Sequence, residues 1–238
     1  MNLKGKTAII TGASSGIGAA VAKNLNEAGV NLVLTGRRQD RLSKLVEELA
    51  GGVAIAADLL DPELPTGLLA KAKDAYGGCD IVFNNAGLIE VGKIEEIDID
   101  KVCEMVRVNV EAAFRMAYTA LKHFKSVGSG HLVNTSSILG IKVRPTAGAY
   151  AGTKFAIEAL TEALRMEVAG TDIQVSCIEP GLVYTELHRD WAVHPKEMFD
   201  IPHPLTPEDI ARGVRFILEQ PPHVRVPRLL MLPSEHSI

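Results

Sequence analysis

Tyr150 and Lys154 stand four residues apart in GAYAGTKFAIEALTEALRMEV, a stretch with helical spacing, so the pair shares one face. A tyrosine serves as a general acid or base near neutral pH only if its pKa falls well below about 10, and a nearby ammonium favours the phenolate. Lys154 can supply that charge. Ser137, thirteen residues before Tyr150, ends the strand-like run in GHLVNTSSILG, where its hydroxyl could orient a carbonyl or an alcohol. Each residue also has an ordinary reading: a half-buried helical tyrosine, a snorkelling lysine and a serine that caps a turn.

A second group lies near the amino terminus. TGASSGIG, residues 11–18, follows the apolar run TAIIT and leads into AAVAKNLNEAG, a helix by composition that ends at Gly29. Glycines serve a tight turn off a strand, an approach of backbone to pyrophosphate, and close packing of helix on sheet, while a helix amino terminus attracts phosphate. The loop is equally a plain strand-to-helix turn until its context is considered. Its spacing is GxxxGxG, and the GxxxxGK[ST] pattern of phosphate-hydrolysing enzymes is absent. In LTGRRQDRL, at the end of the second strand, Gly36 stands where a ribose-binding acid is expected and Arg37 and Arg38 follow. Guanidinium groups favour a 2′-phosphate, hence NADP(H) over NAD(H), unless both are a solvated face with Asp40 capping the next helix.

These groups need elements to hold them. The runs TAIIT, NLVLTG, VAIAAD, DIVFNN, HLVNTS and IQVSCIEP alternate with segments of helical spacing, as in Leu42, Leu45, Val46 and Leu49. Alternation of that kind implies right-handed crossovers and a parallel sheet, and the continuously apolar early strands imply helices on both faces. The expectation is a doubly wound, Rossmann-type α/β/α domain spanning residues 1–238. Prolines and Trp191 break all periodicity between Gly181 and Pro207, which predicts a substrate loop at about 182–206 before a final helix over Glu208–Leu218.

With 238 residues, 47% of them apolar, the chain can bury one substantial core. A net charge of −4 offers no basic footprint, so a small-molecule substrate is expected rather than nucleic acid or a membrane surface. Cys79, Cys103 and Cys177 are widely spaced and odd in number, which points to reduced thiols in the cytoplasm. No run approaches the roughly 18 apolar residues of a membrane helix, and the start has no signal-like stretch, so the protein is expected to be soluble and untargeted. Asn134 to Ser136 match a glycosylation pattern but end a buried strand. His188, His194 and His203, six and nine residues apart, match no metal-binding pattern, and no metal is expected.

Taken in order, TGASSGIG, NNAG at 84–87, Asn109, Ser137, the YxxxK of Tyr150 and Lys154, and the PG at 180–181 resemble the short-chain dehydrogenase/reductase family, from about Lys6 to the carboxyl terminus. The resemblance implies that Tyr150 exchanges a proton with the substrate while hydride moves to or from a nicotinamide. It implies that Lys154 lowers the tyrosine pKa and binds the nicotinamide ribose, that Ser137 orients the substrate oxygen, and that Asn109 holds a water in a proton relay. It further implies Gly12, Ser14, Ser15, Ile17 and Gly18 at the pyrophosphate, Arg37 and Arg38 at the 2′-phosphate, and Asp58 and Leu59 at adenine. Asn85, Ala86 and Gly87 would line the adenosine ribose, with Pro180, Gly181, Val183 and Thr185 near the carboxamide. Many NADP-dependent members carry a basic residue in the glycine loop where this chain has Ser14 and Ser15, so the phosphate preference rests on the two arginines.

The implied activity is NADP(H)-dependent interconversion of a secondary alcohol and a carbonyl. LTGRRQDRL, IEPGLV and LLMLPSEHSI are most similar to enzymes that oxidise serine and other 3-hydroxy acids. A 3-oxoacyl thioester reductase and a non-catalytic NADP(H)-binding sensor are the alternatives. The family also implies a homo-oligomer, tetramer or dimer, built on the two helices carrying Met105, Phe114, Met116 and Phe155; core packing is the other reading of those residues.

Overall fold

The computed structural model describes residues 2–236 apart from positions 50, 190, 192 and 194. Seven parallel strands form one sheet in the order β3-β2-β1-β4-β5-β6-β7. They are β1 (Thr7–Thr11), β2 (Asn31–Gly36), β3 (Val53–Ala56), β4 (Ile81–Asn84), β5 (Ser129–Thr135), β6 (Asp172–Pro180) and β7 (Arg228–Met231). Strands β1 and β4 are buried throughout, as expected for strands covered on both faces.

Among the described residues, eight α-helices accompany them: α1 (Gly16–Glu27), α2 (Gln39–Glu48), α3 (Leu64–Tyr76), α4 (Ile99–Val106), α5 (Ala113–Val127), α6 (Gly148–Glu167), α7 (Pro195–Met198) and α8 (Pro207–Glu219). On one face Leu25 of α1, Leu42 and Leu45 of α2, and Ile210 and Val214 of α8 pack on β1 and β2 residues. On the other, Leu68 of α3, Phe124 of α5, and Leu160 and Leu164 of α6 pack on Ile9, Val82 and Leu132. The result is the three-layer, doubly wound arrangement expected.

Local signals account for the ends of several helices. Helix α1 stops two residues before Gly29, which takes φ +79 and donates its N–H to the Asn26 carbonyl at 2.8 Å. Helix α8 begins at a capping box in which Thr206 and Asp209 each bond the other's backbone N–H, one residue earlier than the sequence suggests. Asp40 lies in the first turn of α2 rather than at its cap, which is Arg38.

Core packing is the reading that holds for Met105 and Met116: both are buried, Met105 against Ile138 and Tyr150 and Met116 within the α3–α5–α6 layer. Phe114 is partly buried and packs on the core, while Phe155 is exposed. The irregular stretch after β6 is also more ordered than its composition suggests. A 3-10 turn over Glu186–His188, the short helix α7 and a parallel bridge between Val183 and Leu205 fold it back over the carboxyl ends of the strands.

The strand order reverses between β1 and β4, and there the carboxyl ends of adjacent strands part to leave a crevice. Thr11 holds its two sides together. Its hydroxyl accepts the N–H groups of Asn85 and Ala86 at 2.9 and 3.1 Å, and its carbonyl accepts the Asn85 side chain at 3.1 Å.

Candidate active site

The crevice opens into a cavity of about 840 Å³ that runs from the β1–α1 loop to the loop after β6. At one end, Gly12 turns the chain off β1 with φ +69, and a Cβ there would lie 2.9 Å from the Cα of Ala86. Only glycine fits that turn without displacing backbone. Ser15, the N-cap of α1, makes no capping hydrogen bond through its side chain, so the first amides of the helix face the loop without a side-chain partner. A groove floored by backbone and closed by an uncapped helix amino terminus suits a pyrophosphate.

Arg38 dominates the outer part of this end. It donates from Nε and Nη2 to the Ser14 hydroxyl at 3.2 and 3.1 Å, and from Nη2 to the Ser15 hydroxyl at 2.6 Å. Gly36 leaves the space that Ser14 uses, since a Cβ there would sit 3.2 Å from Ser14 Oγ. The remaining amine of Arg38 donates to Glu186 at 2.9 Å, and Arg41 donates to both oxygens of the same carboxylate at 2.7 and 2.6 Å. The two guanidinium groups hold the Glu186 carboxyl below the usual carboxylate range. Arg37 diverges from its neighbour: it is largely exposed and approaches Glu104 of α4 at 3.9 Å across the mouth.

The opposite end is lined by Ser137, Tyr150 and Lys154. Ser137, the N-cap of a 3-10 turn at Ile138–Gly140, accepts the Leu139 N–H at 3.1 Å and lies beside the Tyr150 hydroxyl. Lys154 donates from Nζ to the Thr135 carbonyl at the end of β5, at 3.0 Å, with Nζ 5.7 Å from the Tyr150 ring centre. Burial pushes the Tyr150 hydroxyl up to about 12, although the Ser137 hydroxyl opposes the rise, and burial pulls Lys154 down to about 8. The expected lowering of the tyrosine by the lysine is therefore absent here. Both groups are buried in the cavity wall, and desolvation of the phenolate outweighs an ammonium that is anchored on β5 rather than on the tyrosine oxygen.

Of the residues named from sequence, Gly12, Ser14, Ser15, Ile17, Arg37, Arg38, Asp58 and Leu59 line the cavity, as do Asn85 to Gly87, Pro180, Gly181, Val183 and Thr185. Gly18 and Asn109 do not. A Cβ on Gly18 would collide with the Gly12 carbonyl, so this glycine permits the close stacking of α1 under the loop rather than touching the cavity. Asn109 is buried behind the lining, in a π-helical turn over Arg107–Ala112 between α4 and α5. Its amide exchanges two 2.8 Å hydrogen bonds with the backbone of Leu88 and donates to Thr153 at 3.2 Å, which ties the loop after β4 to α6. Such turns often mark functional sites.

Several lining residues escaped the sequence reading: Arg41's partner Glu186, Arg144, and Glu235 with His236 near the carboxyl terminus. Arg41 was legible as one helical turn beyond Arg38 in RRQDRL, whereas nothing local marks Glu186. Of the three histidines of the loop region, His188 is buried with its ring 5.1 Å from Trp191, edge to face; His194 lies outside the described residues. Asn134 is buried and donates to Thr161, consistent with setting glycosylation aside. The one group of metal-type side chains among the described residues is Glu158, Cys177 and Glu179, and Arg228 pairs with both of its carboxylates, at 2.6 Å from Glu158 and 3.0 Å from Glu179.

Comparison with known proteins agrees with this geometry. Residues 6–195 match the family model described as short chain dehydrogenase. An oxidoreductase of Staphylococcus aureus, named as uncharacterized, is 35% identical over 233 residues, covering 97% of this chain and 98% of that one. The closed form of serine dehydrogenase complexed with NADP+ superposes with a TM-score of 0.91 at 27% identity, covering 98% and 96% of the two chains. The 3-ketoacyl-(acyl-carrier-protein) reductase of Brucella melitensis complexed with NADH gives 0.89 at 27% identity, covering 98% and 99%. With a matching family model over most of its length and the Ser137, Tyr150 and Lys154 group at the strand ends, the chain belongs to the short chain dehydrogenase family and is an oxidoreductase of that type.

Proposed function

We propose that this protein is an NADP(H)-dependent enzyme that interconverts a secondary alcohol and a carbonyl, with 3-hydroxy acids as the alcohol substrates. The observation that carries this reading is one continuous cavity with Ser137, Tyr150 and Lys154 at one end and the Gly12, Ser14, Ser15 and Arg38 group at the other. Bound nicotinamide supplies or accepts the hydride. The chain does the rest. The glycine loop and α1 terminus hold the pyrophosphate, Arg38, with Arg37 beside it, takes the 2′-phosphate, and Asp58 and Leu59 flank the adenine.

Ser137 orients the substrate oxygen by hydrogen bond, and Tyr150 gives that oxygen a proton in reduction and takes one in oxidation. Lys154 stabilises the transient phenolate, and Asn109 fixes the wall behind Lys154 through which the proton is replaced. With its pKa pushed up to about 12 by burial, Tyr150 holds its proton at neutral pH, the state a proton donor needs. Preference for NADP(H) is supported by the missing acid at Gly36 and by the NADP+ bound to serine dehydrogenase; the NADH bound to the Brucella reductase is the contrary observation.

That same reductase favours a second reading, reduction of a 3-oxoacyl thioester. A sensor that binds NADP(H) without turnover is the remaining alternative, and the intact Ser137, Tyr150 and Lys154 group argues against it. Exposed Val106, Tyr118, Phe155 and Met166 on α4 to α6 support assembly as a homo-oligomer, dimer or tetramer. Free thiols at Cys79, Cys103 and Cys177 support a cytoplasmic location, and no helix among the described residues is long and apolar enough to cross a membrane. The reading is tested by NADPH oxidation with oxo acids, 3-oxo thioesters and simple ketones in parallel. Binding of NADPH with no turnover on any of them favours the sensor.

A further inference from the structure

Between Ser137 and Tyr150 the chain passes over the cavity, and on that passage stands Arg144. Its guanidinium lies 4.4 Å from the centre of the Phe199 ring, on the loop after β6. Burial alone pulls its pKa below the usual arginine range. Other cations that line the cavity are engaged: Arg38 and Arg189 with Glu186, Arg37 with Glu104, and Lys154 with the Thr135 carbonyl. Among the described residues, Arg144 alone of these meets neither a carboxylate nor a carbonyl.

The segment that carries it is held in an unfavourable shape. Thr146, two residues on, adopts φ +67, which a β-branched side chain rarely tolerates, and Pro145 stiffens the step between. The Thr146 carbonyl accepts the Gly92 N–H at 2.9 Å, and the Arg144 carbonyl accepts the Ala147 N–H at 3.3 Å. Local strain of this sort persists where the surroundings over-determine it, typically at ligand clamps and active sites. A half-buried guanidinium without a counter-ion is a second cost at the same place. One ligand group would offset it.

The charge at this end specifies the group. His236 is a titratable side chain beside Arg144, and its pKa is lowered, by burial first and by the Arg144 charge second, so it offers the guanidinium no counter-charge. A single positive charge matches one carboxylate, whose two oxygens fit the planar fork of a guanidinium, and leaves a phosphate monoester under-compensated. Phe199, Ile201 and Leu182 supply apolar wall for the remainder of the molecule.

We infer that Arg144 binds the carboxylate of the substrate, so that the physiological carbonyl compound is an oxo acid with one free carboxylate rather than a neutral ketone or a thioester. This rests on the reading of the site as an alcohol–carbonyl oxidoreductase. In reduction the carbonyl carbon gains hydride as NADPH becomes NADP+, the carbonyl π bond opens, and its oxygen takes the Tyr150 proton, which solvent then replaces; the carboxylate on Arg144 is unchanged.

The test compares 2-, 3- and 4-oxopentanoate with their methyl esters, by NADPH oxidation, in wild type, Arg144→Met and Arg144→Lys. Wild type should prefer at least one acid over its ester in kcat/KM, Met should cut that preference roughly 10- to 100-fold, and Lys should fall between. In parallel, quenching of Trp191, the single tryptophan and a cavity residue, reads acid binding without turnover. If wild type turns over esters as well as acids, or Met keeps the preference, the assignment is overturned while the oxidoreductase reading stands. If no compound is reduced yet the acids quench wild type and not Arg144→Met, the anion site stands and the proposed reaction falls. Absence of both turnover and quenching overturns both. Should Arg144→Met not fold, the Lys variant and the wild-type acid-to-ester ratio decide alone.

Discussion

Arg38 and Glu186, 148 residues apart in the chain, are joined by a 2.9 Å ion pair that fastens the loop after β6 to the end of β2. The same arginine bonds Ser14 and Ser15 in the glycine loop, so one guanidinium connects three segments around the proposed phosphate pocket. On the proposed reading, a 2′-phosphate on Arg38 would compete with Glu186 for that donor. Removing the competitor should therefore tighten NADPH. Glu186→Gln is expected to lower the NADPH Kd by about three- to five-fold, the scale of a partly exposed ion pair, and to leave NADH nearly unmoved. Fluorescence titration of the two cofactors measures it, and equal shifts for both would place the phosphate elsewhere.

The two adjacent arginines should differ. Arg38 is bonded into the pocket while Arg37 is largely exposed and reaches only towards Glu104. Arg38→Ala should weaken NADPH relative to NADH by about ten-fold or more, the scale of a lost charge-assisted hydrogen bond pair, and Arg37→Ala by about two-fold. The double variant should erode the preference furthest. A larger effect at Arg37 than at Arg38 would contradict this assignment.

Lys154 should cost stability in exchange for its chemistry. Its pKa is pulled from the usual lysine value to about 8 by burial. The unfolded chain thus holds more protons than the folded one between about pH 8 and pH 10.4, and stability rises with pH across that window. Below pH 8 both states carry the charge and the penalty is complete. Lys154→Met, allowing for the lost bond to Thr135, should gain about 1–2 kcal/mol at pH 7 and flatten the rise between pH 8 and 10. Thermal melts across that range test it; a destabilised variant with an unchanged pH slope would mean that the ammonium is well solvated.

Much of this architecture can be read from residue order, and the gaps have physical causes. Strand runs and glycine placement depend on local pattern, so β1, the turn at Gly12 and the helix end at Gly29 follow from a few neighbouring residues. The divergence of Arg37 from Arg38 does not, because it is decided by Glu186 and Glu104, far away in sequence. Likewise the π turn at Asn109 lies inside EMVRVNVEAAFRMAYTALKHF, whose spacing reads as one unbroken helix; the bonds to Leu88 and Thr153 that reward the extra residue are tertiary. Arg144 carries no local signal because its segment has no period; only the folded cavity shows its guanidinium over Phe199.

Gly18 offers a test of the loop itself. A methyl group there would press on the Gly12 carbonyl, backbone against backbone, with no flexible side chain to yield. Gly18→Ala should lower stability by about 1–3 kcal/mol, the cost of overpacking, and weaken NADPH and NADH alike, since both share the pyrophosphate. Unchanged melting with selective loss of one cofactor would show that Gly18 reads the ligand directly.

Proton transfer by Tyr150 is tested most directly by comparing Tyr150→Phe with wild type in single-turnover NADPH oxidation and NADPH binding, on whichever carbonyl compound wild type reduces. The ring is conserved and only the hydroxyl beside Ser137 is lost. The expected result is a Kd for NADPH within about two-fold of wild type and a rate lowered by two or more orders of magnitude, the scale of a missing general acid. A rate within ten-fold of wild type, with binding intact, would contradict the assignment and move the proton donor to another group.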